Sequence, residues 1–389
     1  MLAITLLACS ANPARAQSCD GSVALFDVQS GSSIVGATGV SGDGLTIVGI
    51  YVDETGTYRA MRWTNDGRVQ TIEGFGSDTV ATDVSGDGSV VVGSSYDSFF
   101  MCRAFRWTSE GGTEDLGTLG GPEANAVAIS SDGLVIVGQT TDGAGRRRAF
   151  RWTRTGGMID IGGFGGNETL ADGVSADGSV IVGTSANAAG DWRAYRWTSA
   201  GGLQDLGSLD APRSRATAVS ADGEVIVGYV YEPYVGTRVF RWTALDGMRE
   251  IHASADRTYW PYALSANGDV MIGYVVDYQI VGSFAFRWTA TDGFLTIADL
   301  GGNSGVANAV STDGAVVVGA CSATDHRCRA FRWVLRSADI NCDGFVNADD
   351  YDGFAGLFDA SDPGADLNRD GALNGADFDF FVGAFLDGC

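Results

Sequence analysis

Between residues 23 and 335 the apolar positions fall into short runs rather than helical stripes, and the runs recur in one order. One copy reads Ala126-Val-Ala-Ile-Ser130, Leu134-Val-Ile-Val-Gly138, Arg148-Ala-Phe-Arg-Trp-Thr153 and Met158-Ile-Asp-Ile161. Runs rich in β-branched and aromatic residues, bounded by Gly, Asp and Ser, predict strands, here named a, b, c and d. Between a and b stands a Ser-x-Asp/Asn-Gly unit, opening at Ser41, Ser85, Ser130, Ser175, Ser220, Ser265 and Ser311. Its polar side chains can bond the turn's own backbone and its glycine can take positive φ, which is the chemistry of a tight hairpin. Strand c carries Arg-Trp at Trp63, Trp107, Trp152, Trp197, Trp242, Trp288 and Trp333, at intervals of 44, 45, 45, 45, 46 and 45 residues.

A period of about 45 residues carrying four short strands predicts a β-propeller. Strand a is small and apolar (Ala81-Thr-Asp-Val84, Ala216-Thr-Ala-Val219, Ala307-Asn-Ala-Val310), as an innermost strand must be, and strand c brings the bulk that fills the wider space outside it. Strands a, b and c occur seven times, ending at Arg329-Ala-Phe-Arg-Trp-Val334 with no strand d after it, while a spare strand stands early, at Val23-Ala-Leu-Phe-Asp-Val28. The expected fold is therefore mainly β, a seven-bladed β-propeller over residues 23–335 closed by the N-terminal strand. A charged residue present in every copy reads as scaffold. Arg62, Arg106, Arg151, Arg196, Arg241, Arg287 and Arg332 are expected to pair with a turn Asp or stack on an aromatic ring.

The strand-c consensus, in Arg103-Ala-Phe105, Arg148-Ala-Phe150 and Arg329-Ala-Phe331, resembles the bacterial extracellular repeat family named for its His-Ala-Phe motif, with Arg in place of the His. The resemblance covers residues 23–335 and implies an exported propeller-like protein without implying a reaction.

In an up-and-down blade the a to b and c to d turns share one end, and the b to c and d to a connections share the other. The first end is monotonous and the second varies. Its hairpins read Ser94-Ser-Tyr-Asp-Ser-Phe-Phe100, Tyr229-Val-Tyr-Glu-Pro-Tyr234 and Tyr274-Val-Val-Asp-Tyr278, and the connection into the sixth strand a contains Tyr259-Trp260-Pro-Tyr262. Tyr229, Tyr231, Tyr234, Tyr259, Trp260, Tyr262, Tyr274 and Tyr278 are thus candidate ligand contacts, because aromatic rings with hydrogen-bonding groups suit carbohydrate or peptide. The same residues would equally serve as packing within long hairpins.

Charge and composition narrow the function. The 389 residues carry 57 glycines and a formal net charge of -23, and every basic residue is Arg. About half the charge lies in residues 337–389, with 12 Asp against one Arg, and marks a second module. Diffuse acidity elsewhere argues against nucleic acid, which needs a basic surface. The apolar start Met1-Leu-Ala-Ile-Thr-Leu-Leu-Ala8, followed by Ala14-Arg15-Ala16, reads as a leader spanning residues 1–16 and predicts a secreted or cell-surface protein. No later stretch has the ~18 apolar residues of a membrane span. Cys321 and Cys328, facing each other across a predicted hairpin, are the expected disulfide in an oxidising compartment. The two histidines, His252 and His326, lie in unrepeated segments, and neither a Ser-His-Asp pattern nor a Gly-x-Ser-x-Gly elbow is visible. Catalysis is not expected.

The acidic end follows one template twice, in Asp339-Ile-Asn341-Cys-Asp343-Gly-Phe345-Val-Asn347-Ala-Asp-Asp350 and Asp366-Leu-Asn368-Arg-Asp370-Gly-Ala372-Leu-Asn374-Gly-Ala-Asp377. Oxygen donors at positions 1, 3 and 5, a glycine at 6, a carbonyl at 7 and a carboxylate at 12 are what a calcium ion requires. Each loop is followed by one amphipathic stretch, Tyr351, Phe354, Ala355 and Phe358, then Phe378, Phe381, Val382 and Phe385. A loop with only its exiting helix, repeated at 27 residues and closing on Asp, resembles a type I dockerin over residues 338–389. The resemblance implies a small α-helical, EF-hand-like domain with two calcium ions. Their ligands would be Asp339, Asn341, Asp343, the Phe345 carbonyl, Asn347 and Asp350, then Asp366, Asn368, Asp370, the Ala372 carbonyl, Asn374 and Asp377. It also implies a cohesin-like or other anchoring partner. Ala348-Asp349 and Gly375-Ala376 depart from the family's hydroxyl pair, and the chain ends Gly388-Cys389 like a dockerin variant found on diverse exported proteins. The expectation is an exported binding or structural propeller tethered by this module, and the alternative is a dockerin-tethered polysaccharide-degrading enzyme.

Overall fold

The computed structural model describes residues 22–26, 33–64, 67–233, 236–252, 256–280, 282–297, 301–323, 328–335 and 348–359, together with 365, 373–375, 377–378 and 381–382. The chain divides into two compact units, one holding the described residues of Leu25–Arg332 and one holding Ser22–Ala24 with the described residues from Trp333 onward.

The first unit is a succession of antiparallel four-stranded meanders. In the third repeat strand a (Gly120–Ile129) pairs with strand b (Val135–Asp142), b with strand c (Arg147–Thr153), and c with strand d (Gly157–Asp160). The other innermost strands are Ser33–Val40, Thr79–Val84, Gly165–Val174, Arg213–Val219, Arg257–Leu264 and Gly301–Val310. Strand a of the third repeat begins well before the expected Ala126, and a bulge between Ala126 and Ala128 recurs at matching places in the other copies. Ser22–Phe26 lies beside the last strand c, Cys328–Val334.

Every a to b turn is built alike. The buried Ser220 hydroxyl donates to Asp222 Oδ1 at 2.5 Å and accepts the Val225 amide at 2.9 Å, while Asp222 Oδ1 also accepts the Glu224 amide at 3.0 Å. The same contacts occur at Ser41, Ser85, Ser130, Ser175, Ser265 and Ser311. Each turn then reaches the next. The amides of Gly42, Gly86, Asp132, Ala176, Ala221 and Ala266 donate to the carbonyls of Gly86, Ser131, Ala176, Ala221, Ala266 and Thr312, and the Thr312 amide returns to the Gly42 carbonyl at 3.0 Å. Last turn and first are thereby joined directly.

The turn glycine is required twice over. Gly44 sits at φ +72°, open mainly to glycine, and a methyl group on it would lie 2.6 Å from Val316 of the seventh repeat. The turn glycines of the other repeats meet the first residue of the preceding strand b in the same way. The glycine carbonyl is used as well. Arg62 Nε donates to Gly88 O at 3.2 Å, Arg196 Nε to Gly223 O at 3.3 Å, and Arg332 Nη2 to Gly44 O at 3.4 Å. For these three the expected pairing with a turn Asp is corrected: Oδ1 of the turn carboxylate already accepts its own Ser and an amide, and the Arg bonds the neighbouring turn's backbone. Arg287 instead meets Asp292 of its own c to d turn at 3.3 Å.

Strand c supplies the core as expected. Phe105, Phe150, Tyr195, Phe240, Phe286 and Phe331 are fully buried, with Met61 at the same place in the first repeat. Burial of such a side chain contributes roughly 1.5–3 kcal/mol. Tyr195 keeps its phenol satisfied by donating to Leu170 O at 2.9 Å.

The second unit contains the helix Ala348–Asp359 and helical residues from Gly375. Phe354 stacks on Phe381 with ring centroids 4.4 Å apart and planes 2° from parallel, flanked by Tyr351 on Phe381 and Phe354 on Phe378, both at 6.2 Å. These partners are related by the 27-residue repeat, so the two helical segments meet through equivalent residues. Among the described residues no helix is long and apolar enough to cross a membrane.

The turn chemistry predicts a combined effect on stability and pH dependence. Hydrogen bonds from Ser85 to Asp87, from the Ser179 amide to Asp177 and from Ser220 to Asp222 hold these carboxyls below their ordinary value of 3.8. A lowered folded pKa contributes stability that is present above the unfolded value and is lost as pH falls through the folded one, so stability should drop from about pH 4 downward. Ser220→Ala leaves the buried Val225 amide unpaired and should lower unfolding free energy by about 2 kcal/mol. Urea midpoints taken across this pH range should also show a shallower acid limb for the variant than for the wild type.

Candidate functional site

The site is found where the inner strands depart from their own repeat. In each strand a one residue faces the strand-b glycine: Ala37, Ala81, Ala126, Ala171, Ala216, Pro261 and Ala307. The residue before it is Gly36, Val80, Asn125, Leu170, Arg215, Trp260 or Val306, and the residue after it is Thr38, Thr82, Val127, Asp172, Thr217, Tyr262 or Asn308. The latter position commonly ties neighbouring inner strands. Thr38 Oγ1 donates to Ala81 O at 2.9 Å, Thr82 Oγ1 to Ala126 O at 3.1 Å, and Asn308 Nδ2 to Ala37 O at 2.8 Å. At this position the fourth and sixth repeats carry Asp172 and Tyr262 instead, and at the position before the glycine-facing residue the fifth and sixth carry Arg215 and Trp260. Strand b changes with them, presenting Tyr229 opposite Arg215 and Tyr274 opposite Trp260.

These six side chains form one continuous patch. Arg215 grips Asp172 with two donors, Nε to Oδ2 at 2.9 Å and Nη2 to Oδ1 at 2.5 Å. Tyr229 packs edge-on against Trp260 at 4.7 Å and 71°. Trp260 lies parallel to Tyr274 at 6.2 Å and 8°, and Tyr262 meets Tyr274 edge-on at 5.5 Å. Asp172 is nearly buried, whereas Arg215 keeps 37% of its side chain exposed and Tyr262 is 42% exposed.

The electrostatics follow from burial and pairing. Burial raises the Asp172 carboxyl above its usual value, a push that the Arg215 pair opposes. Burial would lower the Arg215 guanidinium, but its hydrogen bonds to Asp172 outweigh this and hold it charged. Burial also raises Tyr229, and it pushes Tyr274 up to about 12 with Tyr262 adding to the effect. The phenols are therefore protonated donors at neutral pH. Four aromatic rings with hydroxyl and indole groups, beside charges that neutralise one another, can bind a polar ring through faces, edges and hydroxyls.

Of the residues expected from sequence, the structure brings together Tyr229, Trp260, Tyr262 and Tyr274. Tyr259 is corrected: it is a core residue, 5% exposed, packed on His252 at 4.6 Å, Phe294 at 4.2 Å and Phe286 at 5.5 Å. The segment is not a connecting loop but the strand Arg257–Leu264, so alternate residues face opposite sides. Tyr231 lies opposite Arg213, and Tyr278 is 61% exposed with its hydroxyl 3.2 Å from Thr258 Oγ1. Tyr234 and His326 lie outside the described residues. Asp172 and Arg215 escaped the sequence reading, although lining up the copies shows charge where other repeats carry small, amide or apolar residues.

Most of the expected calcium ligands, Asp339, Asn341, Asp343, Phe345, Asn347, Asp366, Asn368, Asp370 and Ala372, lie outside the described residues, as do residues 1–16 of the expected leader. Asp350 and Asp377 occupy the same place, third in their helical segments. One oxygen of the buried Asp377 accepts the Asn374 amide at 2.9 Å, a helix-capping contact. The donor set expected from the sequence is all oxygen, the chemistry that calcium takes. Cys321 is buried with Sγ 3.8 Å from Arg329 O, and Cys328 opens the adjacent strand.

No family model and no curated protein matches the chain. Solved structures do. The β-propeller domain of the Trilobed protease from Pyrococcus furiosus aligns over 78% of this chain and 95% of its own, with TM-score 0.58 and 12% identity. Puromycin hydrolase aligns over 78% of this chain and 51% of its own, with TM-score 0.53 and 13% identity, so the present chain spans about half of that enzyme. TolB from Acinetobacter baumannii aligns over 75% of this chain and 64% of its own, with TM-score 0.45 and 15% identity. The first unit has a mainly β, propeller-type fold.

The ion pair offers a test of how the patch is held. Arg215→Ala strands a carboxylate at the inner strands and should cost about 2–3 kcal/mol, at or below the low end of the range for broken buried pairs because Arg215 retains access to water. Arg215→Met with Asp172→Leu should recover most of that loss in thermal unfolding.

Proposed function

We propose that this chain is an exported, non-catalytic binding protein, a seven-bladed β-propeller closed by its N-terminal strand and tethered at a cell surface or in a secreted assembly by a dockerin-like unit that binds two calcium ions. Its propeller face takes a neutral, hydroxylated ring such as a sugar. The observation that carries this reading is the patch of Asp172, Arg215, Tyr229, Trp260, Tyr262 and Tyr274 gathered by three successive repeats. Because Asp172 neutralises Arg215, the patch does not select for an anion; it offers aromatic surface and phenol donors.

Seven blades are supported by the turn relay that returns from Thr312 to Gly42, and N-terminal closure by the place of Ser22–Phe26 beside the last strand c. The dockerin-like reading is supported by the symmetric stack of Phe354 on Phe381 and by the matching helical positions of Asp350 and Asp377. Two calcium ions would draw the acidic loops of residues 339–350 and 366–377 around themselves through the oxygens named above. A cohesin-like or other anchoring protein would then meet the calcium-ordered surface.

A glycan array probed with the wild type and with Trp260→Ala in parallel tests the binding face, and calorimetric calcium titration of the full chain tests the tether. Binding of neutral glycans that falls at least tenfold in Trp260→Ala, roughly the loss of one stacking ring, is expected, with heat for two sites at micromolar to millimolar calcium. Release of reducing sugar from a bound polysaccharide would replace the binder with an enzyme.

A further inference from the structure

Four of the b to c hairpins close by one and the same turn. Asp53, Asp97, Asp142 and Asn187 accept at their carbonyls the amides of Gly56, Phe100, Gly145 and Gly190 at 2.9–3.0 Å. The opening side chain also accepts the amides two and four residues on, as Asp97 does from Phe99 at 2.8 Å and Met101 at 3.0 Å. The third residue on is left-handed in each, with φ of 84°, 60°, 77° and 89°. Three hairpins place glycine there. The second repeat places Phe100, in a conformation that a bulky residue adopts only with strain.

Packing gives no compensation for that strain. Phe99 is 78% exposed and Phe100 77%, with Met101 beside them at 39%. Below the apex stand Tyr96 and Tyr58, 41% and 43% exposed. They are neighbours through Asp78, whose Oδ1 accepts the Tyr58 amide at 2.9 Å and whose carbonyl accepts the Tyr96 amide at 2.9 Å. From Ser98 to Cys102 the hairpin carries no charge, and the Asp97 carboxylate at its base is engaged by the turn amides. An apolar apex thus rises over a collar of tyrosines.

We propose that this hairpin inserts into the interface of a zwitterionic lipid bilayer, Phe99, Phe100 and Met101 entering the acyl boundary and Tyr58 and Tyr96 resting at headgroup level. Three features select this occupant. The apex projects at a hairpin tip with Phe99 and Phe100 more than three-quarters exposed, so its cover must deform around it. Its sequence of layers, apolar then aromatic hydroxyl then polar, is that of a membrane interface. Its neutrality on a chain of net charge -23 favours uncharged headgroups and disfavours anionic ones. One such hairpin binds reversibly and supplements another anchor rather than replacing it.

Co-sedimentation of the full chain with phosphatidylcholine vesicles, with and without phosphatidylglycerol, decides the matter. The wild type should partition onto phosphatidylcholine, insensitively to salt and less well as phosphatidylglycerol is added. Phe99→Ser should reduce partitioning roughly tenfold, in proportion to the apolar area removed. Phe100→Gly copies the sister hairpins and so folds; it should reduce partitioning comparably while raising the thermal midpoint, because the left-handed strain is relieved. No partitioning of wild type at millimolar lipid overturns the proposal and leaves the apex to a protein pocket. Partitioning unchanged in the Phe99→Ser, Phe100→Gly double variant, or binding that requires phosphatidylglycerol, overturns it as well.

Discussion

Everything in the first unit depends on one constraint, that each Ser-x-Asp/Asn-Gly turn must fit the turn beside it. The hydroxyl and carboxyl close the turn internally, its backbone amide reaches forward to the next turn, and its glycine admits the preceding strand b against bare backbone. Any side chain at that glycine would both strain the backbone and separate two repeats. Because the relay passes from Thr312 back to Gly42, the first and last repeats share the contact that all the others make. The entropy of closing so long a loop grows only with the logarithm of its length, so a single good interface can hold the ends together. The strand-c arginines reinforce the same seam, as Arg332 does when it reaches Gly44 O.

That constraint explains what the sequence makes legible. A turn that must satisfy neighbours on both sides tolerates few substitutions, so it repeats visibly, and strands, period and core rings follow from it. What escapes is any feature built between repeats from residues far apart in the chain. Asp172 and Arg215 are 43 positions apart, and neither stands out in its own strand. Tyr259 and Trp260 are adjacent and chemically alike, yet strand alternation sends one to the core and leaves the other in the patch. The carbonyl partner of Arg62, Arg196 and Arg332 is hidden for a related reason, since only the closed turn shows that Oδ1 of its carboxylate is already engaged.

The second unit shows the same logic on a smaller scale. Its duplication is written in the loop spacing, but its consequence, a parallel stack of Phe354 on Phe381, follows only when two copies fold onto each other through equivalent faces. Repetition in sequence becomes symmetry in contact. A symmetric apolar seam needs few residues, which suits a segment whose remaining composition is largely Asp, Asn and Gly.

The inner strands show how a uniform scaffold admits function. Positions locked by the turns cannot vary, whereas the residues flanking the strand-a alanine are constrained only by the neighbouring repeat. A charge placed there must find its partner there. Asp172 does so in Arg215, two strands meeting through a bidentate pair. Asp83, partly buried in the second inner strand, solves the problem otherwise: it accepts the Ile129 amide at 3.0 Å and the Val84 amide at 2.8 Å, and desolvation pushes its carboxyl up to about 6. Backbone donors let a carboxyl be buried but do not restore an ordinary acidity, so Asp83 adds stability below the usual carboxylate range and loses it as pH rises through about 6. The Arg215 pair needs a long side chain from the next repeat, and that side chain brings Tyr229 and Trp260 into register beside it. The patch is therefore a consequence of how one buried charge is satisfied, and the aromatic residues collect where the small ties between inner strands have been given up.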